Sequence, residues 1–375
     1  MRAVRRVDRP LRGGGTLPLA HVRSGPVTPV PLVVVPGGPG MASVLPYARF
    51  RATASARGVD VVMVEHRGIG LSRHDDRGRD LEPGDVTVED VVDDLAAVLD
   101  DLGVERAVVL GSSYGTYVAQ GFGVRHPQRV AGMVLDSPVL SVAGDLPLVR
   151  AFRRERLWDG DDALSRAVRT SAAPARELAV VVPAVYELCG PRVLSRLLAA
   201  RERGRTRLWR RLADLGAGTR GGLRFVTEPD LVDGIAYGQL GYGLPPDGSP
   251  LDPQVALAAP GRPLYRGEPF DLPAELPRFS WPTVVLSGER DLQTPRPVAE
   301  RLTSLLPDGV LVPIAGIGHS ALDTHPLAAL FTARAVTAGA AHGLPRLAGW
   351  IADLPRRSAS RLAGPALSAA LALGG

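Results

Sequence analysis

Gly111-Ser112-Ser113-Tyr114-Gly115 reads G-x-S-x-G between an apolar run, Ala107 to Leu110, and a segment, Thr116 to Phe122, that suits a helix. A serine on so sharp a strand-to-helix turn is strained, with its hydroxyl lifted above the sheet as a nucleophile. Small residues at Gly111 and Gly115 keep β-carbons away from the neighbouring strand and helix. A serine hydroxyl attacks poorly until a base takes its proton, and imidazole titrates near working pH. A carboxylate behind the imidazole fixes its tautomer and stabilises the imidazolium.

In folds built on this elbow the acid and then the histidine follow the serine along the chain. Pro282 to Gly288 reads as a strand leaving into a turn, and Asp291 stands just beyond it. Val310 to Ile314 reads as another strand, followed by the glycine-flanked His319. Asp291 and His319 are therefore the expected partners of Ser113. Of the seven histidines, His66 is the one serious rival, but it precedes the serine. Glu289, Asp323 and Asp136 are alternative acids; Asp136 directly follows the apolar run Val130 to Leu135. Attack on an acyl carbon also requires N–H donors for the oxyanion. The strand-like Leu32 to Val35 runs into Pro36-Gly37-Gly38-Pro39-Gly40. We expect donors from Gly38, in preference to Gly37, and from Tyr114, the residue after the nucleophile.

Strands and helices must alternate to position these loops. Val61 to Val64 is a continuous apolar run of the kind found in buried parallel strands. Thr87-Val88-Glu89-Asp90 resembles a capping box. After it, Val88, Val91, Val92, Leu95, Val98, Leu99 and Leu102 share one helical face. Gly13-Gly14-Gly15 signals a hairpin near the start. The expected fold is a doubly wound, mostly parallel sheet. Residues 138–280 break the rhythm: they are rich in Arg, Ala and Leu, then in Pro and Gly. They read as a mainly helical cap between two core parts, 1–137 and 281–335. Residues 336–375 read as a helical extension.

Three segments resemble the proline iminopeptidase family of serine aminopeptidases, which are α/β-hydrolases. Gly37-Gly38-Pro39-Gly40 resembles its H-G-G-P-G loop, with Pro36 in place of the histidine. Glu65-His66-Arg67-Gly68-Ile69-Gly70-Leu71-Ser72 resembles its D-Q-R-G-x-G-x-S segment, with Glu-His in place of Asp-Gln. The elbow through Tyr117, followed by Arg125-His126-Pro127-Gln128-Arg129-Val130, resembles the elbow, helix and next strand. The likeness spans roughly residues 30–137 and 280–325. It implies an α/β-hydrolase fold with an inserted cap, a Ser-His-Asp triad and release of amino-terminal residues from short peptides. Family members grip the substrate's ammonium with cap glutamates; Glu187 and Glu228 are the residues here that could do so, with Gly37 also against the substrate. An esterase, thioesterase or lactonase needs no such carboxylate and remains open. So does a catalytically silent fold that binds a small ligand.

Composition bounds the remaining classes. The chain has 375 residues, 45% hydrophobic, enough for a large core. One cysteine excludes an internal disulfide. No H-E-x-x-H, clustered His/Cys or phosphate-binding loop appears, so no metal or cofactor is expected. The basic start has no apolar segment behind it, and no window approaches the length of a membrane span. A cytoplasmic protein is expected. The net charge is +5 and every basic residue apart from histidine is arginine. The dense run Arg201 to Arg211 has no aromatic stacking series or binding motif with it and reads as a solvated cap surface rather than a nucleic-acid site.

Overall fold

The computed structural model describes residues 4–218, 225–258, 261–356 and 358–373. Eight strands form one sheet: β1 (Arg5–Pro10), β2 (Thr16–Ser24), β3 (Leu32–Val35), β4 (Val61–Val64), β5 (Ala107–Ser112), β6 (Val130–Asp136), β7 (Thr283–Gly288) and β8 (Gly309–Ile314). Their order is β1-β2-β4-β3-β5-β6-β7-β8. The β1–β2 and β2–β4 pairings are antiparallel and all the others are parallel. The early glycines do make the hairpin, with Gly14 and Gly15 at positive φ between β1 and β2.

The short apolar runs are buried on both faces, as parallel strands under helices must be. Alternate residues serve opposite sides. Val33, Val35, Val62 and Val109 join one core cluster, whereas Leu32, Val34, Met63, Val108 and Leu110 join the other. α1 (Ala48–Ser55) lies on the second side, through Phe50 and Ala54. α2 (Val88–Asp101) and α3 (Tyr114–Arg125) cover the first. The Thr87 hydroxyl accepts the Asp90 N–H and starts α2, and the expected apolar face from Val88 to Leu99 is buried.

Between β6 and β7 the described residues carry helices: α4 (Val142–Leu157), α5 (Ala163–Thr170), α6 (Ala175–Cys189), α7 (Pro191–Glu202), α8 (Arg207–Gly218) and the single turns α9 (Gln254–Leu257) and α10 (Leu272–Glu275). Phe152, Leu157, Val182, Leu194, Leu198 and Trp209 build a third apolar cluster over the sheet. The second half continues with α11 (Arg296–Leu305), the short α12 (Ala321–Thr324) and α13 (Pro326–Thr337). The carboxyl-terminal stretch adds α14 (Ala348–Ala352) and α15 (Ala363–Ala372). Ile351 of α14 packs into the sheet's second cluster, and Leu367 and Leu371 of α15 pack into the third.

This topology gathers the loops that leave the carboxyl ends of β3, β5, β7 and β8 at one edge of the sheet. That is where open parallel sheets place their chemistry.

Candidate active site

The elbow is built by backbone crowding. Ser113 sits between β5 and α3 at φ 53° and ψ −123°, outside the conformations that serine ordinarily adopts. Its N–H donates to the Asp136 carbonyl at 2.9 Å, which holds the turn against β6. A β-carbon on Gly115 would lie 2.1 Å from the Val35 carbonyl oxygen, and one on Gly111 would lie 2.2 Å from that of Gly115. The opposing atoms are backbone and cannot swing away. Gly115→Ala should therefore lower folding stability by about 3 kcal/mol, read from denaturant midpoints. A loss below about 0.5 kcal/mol would mean that the turn is not held this tightly.

The structure brings Ser113, His319 and Asp291 together from three loops. Asp291 follows β7 and is fully buried. Its carboxylate accepts the N–H groups of Gln293 and Thr294, each at 2.9 Å, and the Thr294 hydroxyl at 2.9 Å. His319 follows β8, and its Nδ1 lies 3.1 Å from each Asp291 oxygen. A carboxylate only accepts, so Nδ1 carries the proton and Nε2 is left to accept from the Ser113 hydroxyl, 2.8 Å away. Burial alone would lower the pKa of His319, but the charge and hydrogen bond of Asp291 outweigh it, and the imidazole is pushed up to about 9. Asp291 is itself buried, yet His319 and its hydrogen bonds hold its pKa below the ordinary value.

The rival groups are engaged elsewhere. His66 donates from Nδ1 to the Arg67 carbonyl at 2.6 Å, so its Nε2 accepts the Tyr114 hydroxyl at 3.0 Å. Burial drives its pKa down to about 4, and it stays neutral. Asp136 accepts the Ala321 and Leu322 N–H groups at 2.9 and 2.8 Å, together with the Ser112 hydroxyl at 2.8 Å. Asp323 accepts the Tyr47 and Ser320 hydroxyls. Glu289 accepts the Gly316 N–H.

The glycine loop after β3 closes on the serine. A β-carbon on Gly37 would stand 3.3 Å from the Ser113 β-carbon. Gly38, at φ 139°, lines the same cavity as Ser113 and His319. The segment around Glu65 supports this loop. The Glu65 carboxylate accepts the N–H groups of Ser43 and Val44 at 2.6 and 2.7 Å. Arg67 pairs with buried Asp94 at 2.6 Å.

Two sequence expectations need correcting. Neither Glu187 nor Glu228 faces the Ser113 cavity. Glu187 turns beneath the acid loop, where it accepts the Leu292 N–H at 2.7 Å and the Gln293 amide at 3.1 Å. Burial and the nearby Asp291 raise its pKa to about 7. The Glu228 carboxylate accepts the Gly70 N–H at 2.6 Å, and its own N–H donates to the Gly40 carbonyl, so it ties the glycine loop to its neighbour. Both carboxylates pin backbone.

The charged residues that do reach the cavity are Asp145 and Arg153, both on α4. The cavity has a volume of about 200 Å³ and is walled by Val139, Val142, Leu146 and Val149 beside Ser113 and His319. Val142, Asp145, Leu146, Val149 and Arg153 share one helical face. Their signal was present in the sequence as this spacing, but nothing there said which way the helix would turn. Among the described residues there is no His/Cys/Asp/Glu group fit to hold a metal ion and no helix long and apolar enough to cross a membrane.

Sheet order, elbow and loop positions define the α/β-hydrolase fold, and the family model described as alpha/beta hydrolase fold matches residues 30–184. Within that fold the chain resembles proline iminopeptidases. It is 32% identical over 118 residues to the proline iminopeptidase of Neisseria meningitidis, covering 30% of this chain and 34% of that protein. It is 38% identical over 86 residues to the homoserine O-acetyltransferase of Thermus thermophilus, covering 22% of this chain and 21% of that one. The matches thus span about a fifth to a third of these relatives' length. The solved proline iminopeptidase of Mycobacterium smegmatis superposes with a TM-score of 0.52 at 18% identity, over 90% of this chain and 100% of that one. An esterase from a Rhodococcus superposes with a TM-score of 0.51 at 18% identity, over 89% and 98%. At these identities the two structures speak for the fold alone.

Proposed function

We propose that this protein is a serine hydrolase that works through an acyl-enzyme, and that it acts as an aminopeptidase on short peptides or aminoacyl amides entering beneath a cap formed by residues 138–280. The observation that carries the hydrolase reading is the continuous chain of hydrogen bonds from Ser113 through His319 to Asp291. His319 takes the Ser113 proton as Oγ bonds to the substrate carbonyl. The tetrahedral oxyanion is held by the N–H groups of Gly38 and Tyr114. His319 then gives the proton to the departing amine, and the C–N bond breaks. Water, deprotonated by the same imidazole, attacks the acyl-serine and releases the acid and Ser113.

The aminopeptidase reading draws on Asp145, the cavity-lining carboxylate on α4 that takes the place expected of Glu187 and Glu228. Burial raises its pKa, whereas the Ser141 and Leu140 N–H groups and the Arg301 guanidinium, 3.3 Å from Oδ1, favour its charged form. A substrate ammonium beside it would share the carboxylate with Arg301 and add a second neutralising charge. The likeness to the Neisseria proline iminopeptidase over 118 residues points the same way. The apolar walls of the cavity favour a second reading, hydrolysis of small apolar esters. Alanyl- and prolyl-4-nitroanilides compared with N-acetylated amides and simple 4-nitrophenyl esters decide between them. Turnover of the free-amine anilides is expected; turnover of the esters alone would leave an esterase.

The pH profile follows from the triad. Only neutral His319 accepts a proton, and its pKa is raised, so kcat/KM should rise with pH through a midpoint near 9, above the ordinary histidine value. Asp291→Asn removes the main raising influence and should move that midpoint down. A wild-type midpoint at or below about 6.5 would contradict the assignment of the base.

A further inference from the structure

Arg153 is a buried cation without a carboxylate partner among the described residues. The residue is 5% exposed. Its guanidinium donates from Nε to the Leu292 carbonyl at 2.8 Å and from Nη1 to the Leu251 carbonyl at 3.3 Å. Among the described residues no aspartate or glutamate forms an ion pair with it, whereas the equally buried Arg67 has Asp94 at 2.6 Å. Buried Arg51 likewise gives its hydrogen bonds to backbone carbonyls, but it does not line the Ser113 cavity. Burial lowers its pKa, and the charges of Glu187, Asp252 and Asp291 only partly compensate from further away. A guanidinium has five N–H donors in a planar fork that fits a carboxylate. Two hydrogen bonds to carbonyls leave part of that fork unused, and Arg153 lines the cavity that holds Ser113 and His319.

Asp145 lies eight residues earlier on the same face of α4, about 12 Å along the axis at about 1.5 Å per residue. The cavity wall therefore runs from the Asp145 carboxylate, which also pairs with Arg301 at 3.3 Å, to the Arg153 guanidinium, with Leu146 and Val149 between them. An extended peptide advances about 3.5 Å per residue, so the two ends of a dipeptide or tripeptide are about 7–10 Å apart.

We infer that Arg153 binds the terminal carboxylate of a free dipeptide or tripeptide whose ammonium faces Asp145. The peptide part of this inference rests on the aminopeptidase reading; the carboxylate part does not. Pairing the substrate carboxylate with a buried arginine should favour it over its uncharged amide by about 10- to 100-fold in kcat/KM.

Two substrate pairs test this, each differing only in the carboxylate. One is Ala-Ala against Ala-Ala amide. The other is 4-carboxyphenyl butyrate against 4-carbamoylphenyl butyrate. The intact protein should prefer the carboxylate member, chiefly through KM. Arg153→Gln, which still donates hydrogen bonds but carries no charge, should bring the ratio close to one. Arg153→Lys should keep part of the preference. Ala-Ala left intact while the ester pair shows the Arg153-dependent preference would overturn the aminopeptidase reading and sustain the carboxylate site. Equal rates within whichever pair is cleaved would overturn the site. So would an Arg153→Gln protein that loses kcat equally on both members, because then Arg153 only props the Leu292 backbone beside Asp291. No turnover of either pair would overturn both readings.

Discussion

Ser113→Ala should lose about five orders of magnitude or more in kcat and should no longer be labelled by a fluorophosphonate, and His319→Ala should match it, because nucleophile and base act as a unit. The geometry makes this a sharp expectation. The Ser113 hydroxyl faces Nε2 of His319 at 2.8 Å. The neighbouring serines cannot take its place. The Ser112 hydroxyl donates to Asp136, and that of Ser320 to Asp323. Neither hydroxyl is bonded to the His319 imidazole, so neither has a base to activate it. Wild-type protein should incorporate one label, which peptide mass mapping places on Ser113. Persistent labelling of the alanine variant, at Ser112 or Ser320, would overturn the assignment.

The sheet and its loops were legible because their physical signals are local. Continuous apolar runs such as Val33 to Val35 and Val284 to Leu286 are buried on both faces, so they stand out from amphipathic helices such as α2. Once those runs are placed, the residues at their carboxyl ends fall at one edge by topology alone. Ser113, Asp291 and His319 could therefore be found without knowing any tertiary contact. Residues 138–280 offered no such guide. Glu187 and Glu228 were chosen because they are carboxylates in the right segment, yet each has backbone N–H groups to satisfy that no sequence pattern reveals. Asp145 and Arg153 were passed over because α4 carries charge on several faces. The side turned to the cavity depends on how Leu146, Val149 and Phe152 pack, which is a long-range matter.

Asp291→Asn should cost about four orders of magnitude in kcat while leaving the fold intact, as loss of the carboxylate does where it orients a catalytic histidine. An asparagine can keep the hydrogen bonds that its oxygen accepts from Gln293 and Thr294. Toward His319, however, it can present an N–H donor. Nδ1 would then accept, the proton would move to Nε2, and the imidazole would face Ser113 with a donor where a base is needed. The imidazolium would also lose its nearest countercharge. Asp136 supplies the control, since it too is fully buried at a strand end close by, and burial raises its pKa to about 6. Its oxygens serve the Ala321 and Leu322 N–H groups and the Ser112 hydroxyl, not the imidazole. Asp136→Asn should therefore lower thermal stability more than it lowers kcat, and the His319 acid limb, which the Asp136 charge raises less than Asp291 does, should move down by less than in Asp291→Asn. Steady-state kinetics and pH profiles of the two variants separate the roles. If Asp136→Asn lost activity while Asp291→Asn kept it, the acid would belong to β6 rather than to the loop after β7.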